Sequence, residues 1–315
     1  MASVEKIKLV VLTPVGRYLG FSAPISPVQQ FTEAANKAGV DVIFKDPQRI
    51  YIATNKDSVP VLRDEHGDID GDVYFPFGHT LLDRNMVKYA IVALEKSGKI
   101  VINGYKSLTV ADDKGLMALE FANHAKITTP TSIIASASSA SERLLGEIKG
   151  DIVISKMTGF TAGGVGTQPL NPDINQVAPV LWASRMDERP RVLQNDIDGS
   201  APAEPRIVIR AYIVGGQVIG CYTTKGYGIV NCAGLARESK AEKFNPSKKE
   251  VTTLLNAASI VGATGFCRID AVRKKEGLSI FEVNPLARID AEYYDIDVAG
   301  AIVHYANKIG KEAKQ

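Results

Sequence analysis

Apolar residues gather into short runs along the first hundred positions. Ile7 to Leu12 is apolar at nearly every position, as in a strand buried on both faces of a parallel sheet. Val40 to Phe44, Asp72 to Pro76 and Lys99 to Asn103 read as further strands. Between the first two, Ser26-Pro27-Val28-Gln29 forms a capping box with proline at the first helical position, and Gly39 is a natural stop. Strand, helix and strand in that order predict a right-handed crossover and a small α/β domain. Residues 48–72 read as short strands and turns, Asp83 as the cap of a helix to about Lys96, and Gly104 as a boundary.

Beyond Gly104 the pattern changes. Thr109-Val110-Ala111-Asp112 is expected to cap a helix through about His124, and Ile127 to Ala135 to be extended. Ser139 to Glu142 forms a second capping box for a helix to Ile148, and Asp151 to Lys156 a strand. Pro169 to Pro190 reads as loop and strand around Trp182, and Arg191 to Gln194 as a short strand. Gly215-Gly216 between Arg206–Val214 and Gln217–Tyr222 is a two-residue hairpin signal. Ser247 to Glu250 is a third box, for a helix to Gly262, and Asp297 opens a last helix to about Ile309.

Two stretches carry chemistry. Gly265 to Asp270 and Leu278 to Pro285 read as strands joined by a charged turn. Glu282 and Asn284, two apart, share a face, and a hairpin carries Asp270 up beside them. Two carboxylates and a carboxamide make an all-oxygen set suited to Mg²⁺; the alternative is an ordinary hairpin with solvated acids. Lys156 runs into the most glycine-rich segment, with Gly159, Thr161, Gly163, Gly164 and Gly166. Such a segment lets backbone N–H groups approach a polyphosphate beside a compact cation, or is simply a surface turn. The Gly-Lys-Ser/Thr ending of a Walker A motif is absent.

Composition narrows the classes. A chain of 315 residues suggests about two domains. Its formal net charge of +2 is no polyelectrolyte signature, so no nucleic-acid partner is expected. Three cysteines without a CxxC pair fit a reducing compartment. No apolar run reaches the roughly 18 residues of a membrane span, and the start lacks a signal-peptide core, so no membrane partner and a cytoplasmic location are expected.

In order along the chain, Asp113-Lys114, then Val153 to Lys156 with its glycines, then Val192-Leu193-Gln194 with Ile209 to Gly215, then Asp270, Glu282, Val283 and Asn284 with Asp295 to Gly300, resemble the blocks of an ATP-grasp carboxylate–amine ligase. The RimK-like branch, which adds amino acids such as glutamate, is the most similar. The resemblance covers about residues 100–310. It implies an N-terminal Rossmann-like pre-ATP-grasp α/β domain over residues 1–104. An ATP-grasp fold of two α+β subdomains follows, at 105–191 with the lid and at 192–315 with the metal site. It implies ATP and Mg²⁺ (or Mn²⁺) as cofactors, with Asp270, Glu282 and Asn284 as metal ligands. Lys114, Lys156, Gly159, Thr161, Gly163, Gly164 and Gly166 then serve the phosphates, and backbone from Gln194 through Asn195 to Asp196 the adenine. Arg210 would steady the reactive carboxylate or acyl phosphate; its plain alternative is a strand-edge salt bridge. Lys225, Asn231, Arg237 and Arg288 are candidates for the acceptor. The partners implied are small-molecule carboxylate and amine substrates, an amino acid or peptide. Many relatives assemble, so the resemblance admits a homo-oligomer. Alternatives on the same scaffold are a small-molecule kinase and a nucleotide-binding regulator. The chain departs from the pattern at Asn195, where an acid is expected, and at Pro285 to Arg288, where a Ser-Pro-Gly turn is usual.

Overall fold

The computed structural model of the chain describes residues 6–13, 26–77, 84–136, 142–147, 152–158, 168–185, 190–195, 206–226, 241–287, 289 and 295–315. The N-terminal part runs β1 (Lys8–Leu12), α1 (Pro27–Ala38), β2 (Asp41–Lys45), β3 (Tyr51–Thr54), β4 (Pro60–Asp64), β5 (Gly67–Asp68), β6 (Val73–Pro76), α2 (Arg84–Lys96) and β7 (Ile100–Val101). The strands β2-β1-β6-β7 form one parallel sheet, and β3-β4-β5 a small antiparallel one. Leu9 and Val11 of β1 pack toward α1, whereas Val10 and Leu12 pack toward α2. Burial on both faces is why this strand is a continuous apolar run. Ser26 caps α1 by accepting from the Gln29 N–H, but the Gln29 side chain donates to Glu33 instead of reaching back, so only half of the expected box forms. Gly39 ends the helix in the left-handed conformation. The strand expected over Lys99–Asn103 is cut to Ile100–Val101, because Asn103 turns left-handed (φ 62°).

The middle part runs α3 (Tyr105–Val110), α4 (Lys114–Ala122), β8 (Ser132–Ala135), α5 (Glu142–Gly146), β9 (Val153–Met157), β10 (Gln168–Leu170), α6 (Ile174–Arg185) and β11 (Arg191–Asn195). An antiparallel sheet in the order β10-β9-β11-β8 forms its frame. Two expectations are corrected here. Thr109 and Val110 lie inside α3, and the next helix is capped by Asp113, whose carboxylate accepts from the Gly115 and Leu116 N–H groups. Pro169 to Pro190 opens in the short strand β10, but then holds a helix, α6, where only loop and strand are expected. Asp173 starts it by accepting from the Asn175 N–H, and Pro179 within it, which reads as a breaker in sequence, forfeits a single hydrogen bond.

The C-terminal part runs β12 (Arg206–Val214), β13 (Gln217–Gly226), β14 (Glu242–Lys243), α7 (Lys248–Ile260), β15 (Phe266–Lys274), β16 (Gly277–Asn284) and α8 (Val298–Ala313). Its antiparallel sheet has the order β14-β13-β12-β15-β16. One face sets Ile209, Ala211, Ile213, Cys267, Ile269 and Ile280 against Leu254, Ala257 and Ala258 of α7. On the other face, Tyr212, Val214 and Phe266 join the core of the N-terminal sheet and α8, and Phe75 meets Phe266 edge-on at 5.4 Å. The polar end of this second face carries the candidate site. Ser247 and Glu250 complete a reciprocal capping box on α7, and Asp297 caps α8 through the Gly300 N–H.

Two outcomes follow from this packing. Gly215 and Gly216 both turn left-handed (φ 55° and 72°), but a Cβ on Gly215 meets the Tyr305 ring of α8 at 2.6 Å, whereas one on Gly216 meets open space. Gly215→Ala is expected to cost about 3 kcal/mol and Gly216→Ala about 1 kcal/mol, read from urea unfolding. Glu250 is held below its ordinary value of 4.5, first by hydrogen bonds from Arg273 (2.8 and 2.9 Å) and then by the Ser247 cap. A depressed carboxylate contributes stability that is complete above its unfolded value and lost as pH falls through the folded one. Wild type should therefore lose stability steadily as pH drops below 4.5, and Arg273→Gln should flatten that dependence in acid-unfolding scans.

Candidate active site

Three strands line up the charged residues. Arg210 of β12 opposes Asp270 of β15, which opposes Glu282 of β16. One rung on, Tyr212, Arg268 and Asn284 form a parallel row. Directly opposed residues share a face, as do residues two apart. The spacing that put Glu282 and Asn284 on one face therefore holds, and Asp270 stands beside Glu282. A register shift after Asp270 leaves Phe281 as an extra residue on β16. This bulge turns Phe281 to the same side as Glu282, while Ile280 and Val283 stay in the core against α7.

Asp270 is buried, and guanidinium groups hold it. Arg268 grips both of its oxygens (Nε to Oδ1 2.8 Å, Nη2 to Oδ2 3.2 Å), and Arg210 Nε lies 3.8 Å from Oδ2. Burial pulls the Arg268 pKa down, but its charged neighbours, Asp270 first, more than offset this and raise it. A charged pair is tolerated in such a place only with this fork geometry and further partners. Arg210 Nε is itself buried and makes no hydrogen bond.

The two lysines arrive from other elements. Lys114, the first residue of α4 behind the Asp113 cap, places Nζ 3.6 Å from Glu282 Oε1. Lys156, on β9, places Nζ over the Phe281 ring at 5.4 Å from its centre. Burial pushes the Lys156 ammonium down to about 8; Glu282 and Asp270 resist this and Lys114 adds to it. The structure thus brings together Lys114, Lys156, Arg210, Asp270, Glu282 and Asn284, all expected from sequence. It adds Arg268 and Phe281, which sequence reasoning missed. The signal for Phe281 was the break in alternation at Ile280-Phe281; Arg268, two before Asp270, was open to the same face argument.

Of the other expected residues, Gln194, Asn195 and Lys225 are among those described. The Gln194 side chain donates to Ser132 Oγ (2.8 Å), and the Asn195 N–H to Thr131 O (3.1 Å), so both help hold β11 beside β8. By register Lys225 lies on the opposite face of the sheet from Arg210, and it pairs with exposed Glu242 at 3.3 Å. It is not brought to the site. Gly159, Thr161, Gly163, Gly164, Gly166, Asp196, Asn231, Arg237 and Arg288 lie outside the described residues.

The donor set can be tested against a metal. Among the described residues no group of three or more His, Cys, Asp or Glu side chains could hold an ion. Asp270, Glu282 and Asn284 offer oxygen alone, which fits a hard dication that completes its shell from another source. Four cations, Lys114, Lys156, Arg210 and Arg268, surround the two carboxylates. A surplus of positive charge beside a partial metal site matches a polyphosphate, whose oxygens would supply the missing ligands.

Comparisons with known proteins identify the family. The model of the RimK-like ATP-grasp domain matches residues 111–306. A probable alpha-L-glutamate ligase of Teredinibacter turnerae is 26% identical over 216 residues, covering 68% of this chain and 69% of that protein. The ATP-grasp ligase PsnB, solved with a phosphomimetic variant of its minimal precursor, Mg and ADP, has a TM-score of 0.67 at 15% identity, covering 98% of this chain and 99% of that one. The macrocyclase MdnC of Microcystis aeruginosa, bound to its precursor peptide MdnA, has a TM-score of 0.66 at 13% identity, covering 95% and 98%. At such identities the solved structures speak for the fold, and the domain match speaks for the family: the chain belongs to the RimK-like ATP-grasp ligases.

Proposed function

We propose that the protein joins a carboxylate to an amine at the expense of ATP, through an acyl phosphate. The observation that carries this reading is the Arg210–Asp270–Glu282 row with Arg268 on its flank and Lys114 and Lys156 above it. A substrate carboxylate oxygen attacks the γ-phosphorus, the bond to the bridging oxygen breaks and ADP leaves. The amine nitrogen then attacks the acyl carbon, inorganic phosphate leaves, and the amine proton passes to phosphate or solvent. No side chain needs to act as a covalent nucleophile.

The chain's part is to place and neutralise charge, which is most of what phosphoryl transfer requires. Lys114 and Lys156 would neutralise phosphate oxygens. Arg210, whose buried Nε lacks a hydrogen-bond acceptor, would bind the reactive carboxylate and then the acyl phosphate. Arg268 stays anchored on Asp270 and presents its remaining N–H groups to the same intermediate. Asp270, Glu282 and Asn284 would hold Mg²⁺, which when bound offsets the charge that builds on the phosphates. The Teredinibacter relative, named for glutamate, and PsnB and MdnC, solved with precursor peptides, support an amino acid or peptide as the substrate class.

Incubating the protein with ATP, Mg²⁺ and a panel of amino acids and peptides, with mass detection, should yield ADP, phosphate and a product one water lighter than the sum of its parts. Phosphate retained on a hydroxyl compound would make the protein a kinase instead. Glu282→Ala should lower turnover at least about a hundredfold; an unchanged rate would remove Glu282 from the site.

Lys156 generates a pH prediction. Nucleotide phosphates favour its charged form, so binding takes up a proton and weakens as pH rises past about 8. ADP affinity, measured by calorimetry, should fall by up to about tenfold per pH unit above that point. Lys156→Arg should remove the dependence, because a guanidinium keeps its charge.

A further inference from the structure

Asn103 takes no direct part in the site, yet it touches the base of both strands that carry it. It follows the N-terminal sheet's last strand, is 5% exposed and turns left-handed (φ 62°), a conformation asparagine tolerates better than most residues. Its side chain reaches across more than 160 residues of sequence. The carboxamide oxygen accepts from the Phe266 N–H at 3.0 Å. Its nitrogen donates to Phe266 O, and to Pro285 O at 3.2 Å. Phe266 opens β15, which carries Arg268 and Asp270. Pro285 directly follows β16, which carries Glu282 and ends on Asn284.

The ladder between these strands reaches Arg268 and Asn284 and goes no further in that direction. One carboxamide joins the strands where the rungs stop. The consequence runs one step on. The next residue, Leu286, donates its N–H to Asn284 Oδ1 at 3.2 Å. Holding the Pro285 carbonyl orients the turn that presents this N–H, and the N–H orients the Asn284 side chain. An amide oxygen has two lone pairs, so one stays available for a metal. Space around Asn103 is tight: a Cβ on Gly265 would lie 3.1 Å from its backbone nitrogen and from its side-chain oxygen.

We propose that Asn103 is a positioning residue for the metal site, holding the Pro285 peptide so that Asn284 keeps the orientation needed for ligation. The inference rests on the metal reading proposed above. Loss of a partner that orients a metal ligand typically weakens metal binding by 10–100-fold. Its distinguishing mark is that the defect concerns the metal rather than the nucleotide.

The test is a titration of Mn²⁺ in the presence of saturating ADP, followed by electron paramagnetic resonance, with no turnover required. Asn103→Gly keeps the left-handed backbone and removes the carboxamide. Asn103→Asp keeps the size and the acceptor for the Phe266 N–H, replaces the donor to Pro285 O with a repelling oxygen, and serves where the glycine variant does not fold. Both should weaken Mn²⁺ about 10–100-fold and leave metal-free ADP affinity unchanged. Glu250→Gln, which loosens the α7 cap, should lower stability without moving the Mn²⁺ constant. Wild-type Mn²⁺ affinity in the Asn103 variants, with Mn²⁺ binding lost in Glu282→Ala, would overturn the inference and leave the metal reading standing. Wild-type affinity in Glu282→Ala as well would overturn both.

Discussion

Asp270 is a buried carboxylate in the middle of an antiparallel sheet, and the arrangement around it follows from that. A lone charge there would be severely destabilising, so the sheet supplies Arg268 on the same strand and Arg210 on the next. Two guanidinium groups balance Asp270 and Glu282, so the cluster of these four is neutral. The lysines of α4 and β9 then give it a positive surplus. A region of such charge is electrostatically suited to an anion.

The two faces of this sheet divide the labour. Toward α7 it is a close apolar core of isoleucine, alanine and cysteine, which fixes strand register. Toward the other side it is apolar only at one end, where Tyr212, Val214 and Phe266 weld it to the N-terminal sheet and α8. Rigid packing behind the strands lets the polar end hold its side chains in a fixed grid. The bulge at Phe281 re-aims an aromatic ring beneath Lys156 without disturbing the core contacts of Ile280 and Val283. The C-terminal helix, which follows close behind Asn284 in sequence, closes the core shared with the N-terminal sheet, and Tyr305 seats against the Gly215 turn.

Local signals were legible wherever one short stretch settled the matter. The buried run of β1, the caps at Ser26, Ser247 and Asp297, the Gly215-Gly216 turn and the shared face of Glu282 and Asn284 each depend on residues within a few positions. Errors arose where a local signal was ambiguous. Thr109 to Asp112 resembles a cap, but Asp113 has the free geometry to reach Gly115 and Leu116. Pro179 reads as a breaker, yet α6 carries on through it, its Val177 and Leu181 side chains buried with Val153 and Leu193.

The sequence by itself determined most of the strands and helices and the order of the charged blocks, because alternation, capping and residue chemistry are short-range properties. Only the tertiary structure decided which charges meet. That Arg210 stands opposite Asp270, that Lys114 reaches Glu282, that Lys225 falls on the face opposite Arg210 and that Asn103 ties Phe266 to Pro285 are consequences of strand register and chain crossing. Register is set by the summed packing of a whole sheet face, and no window of neighbouring residues contains that sum.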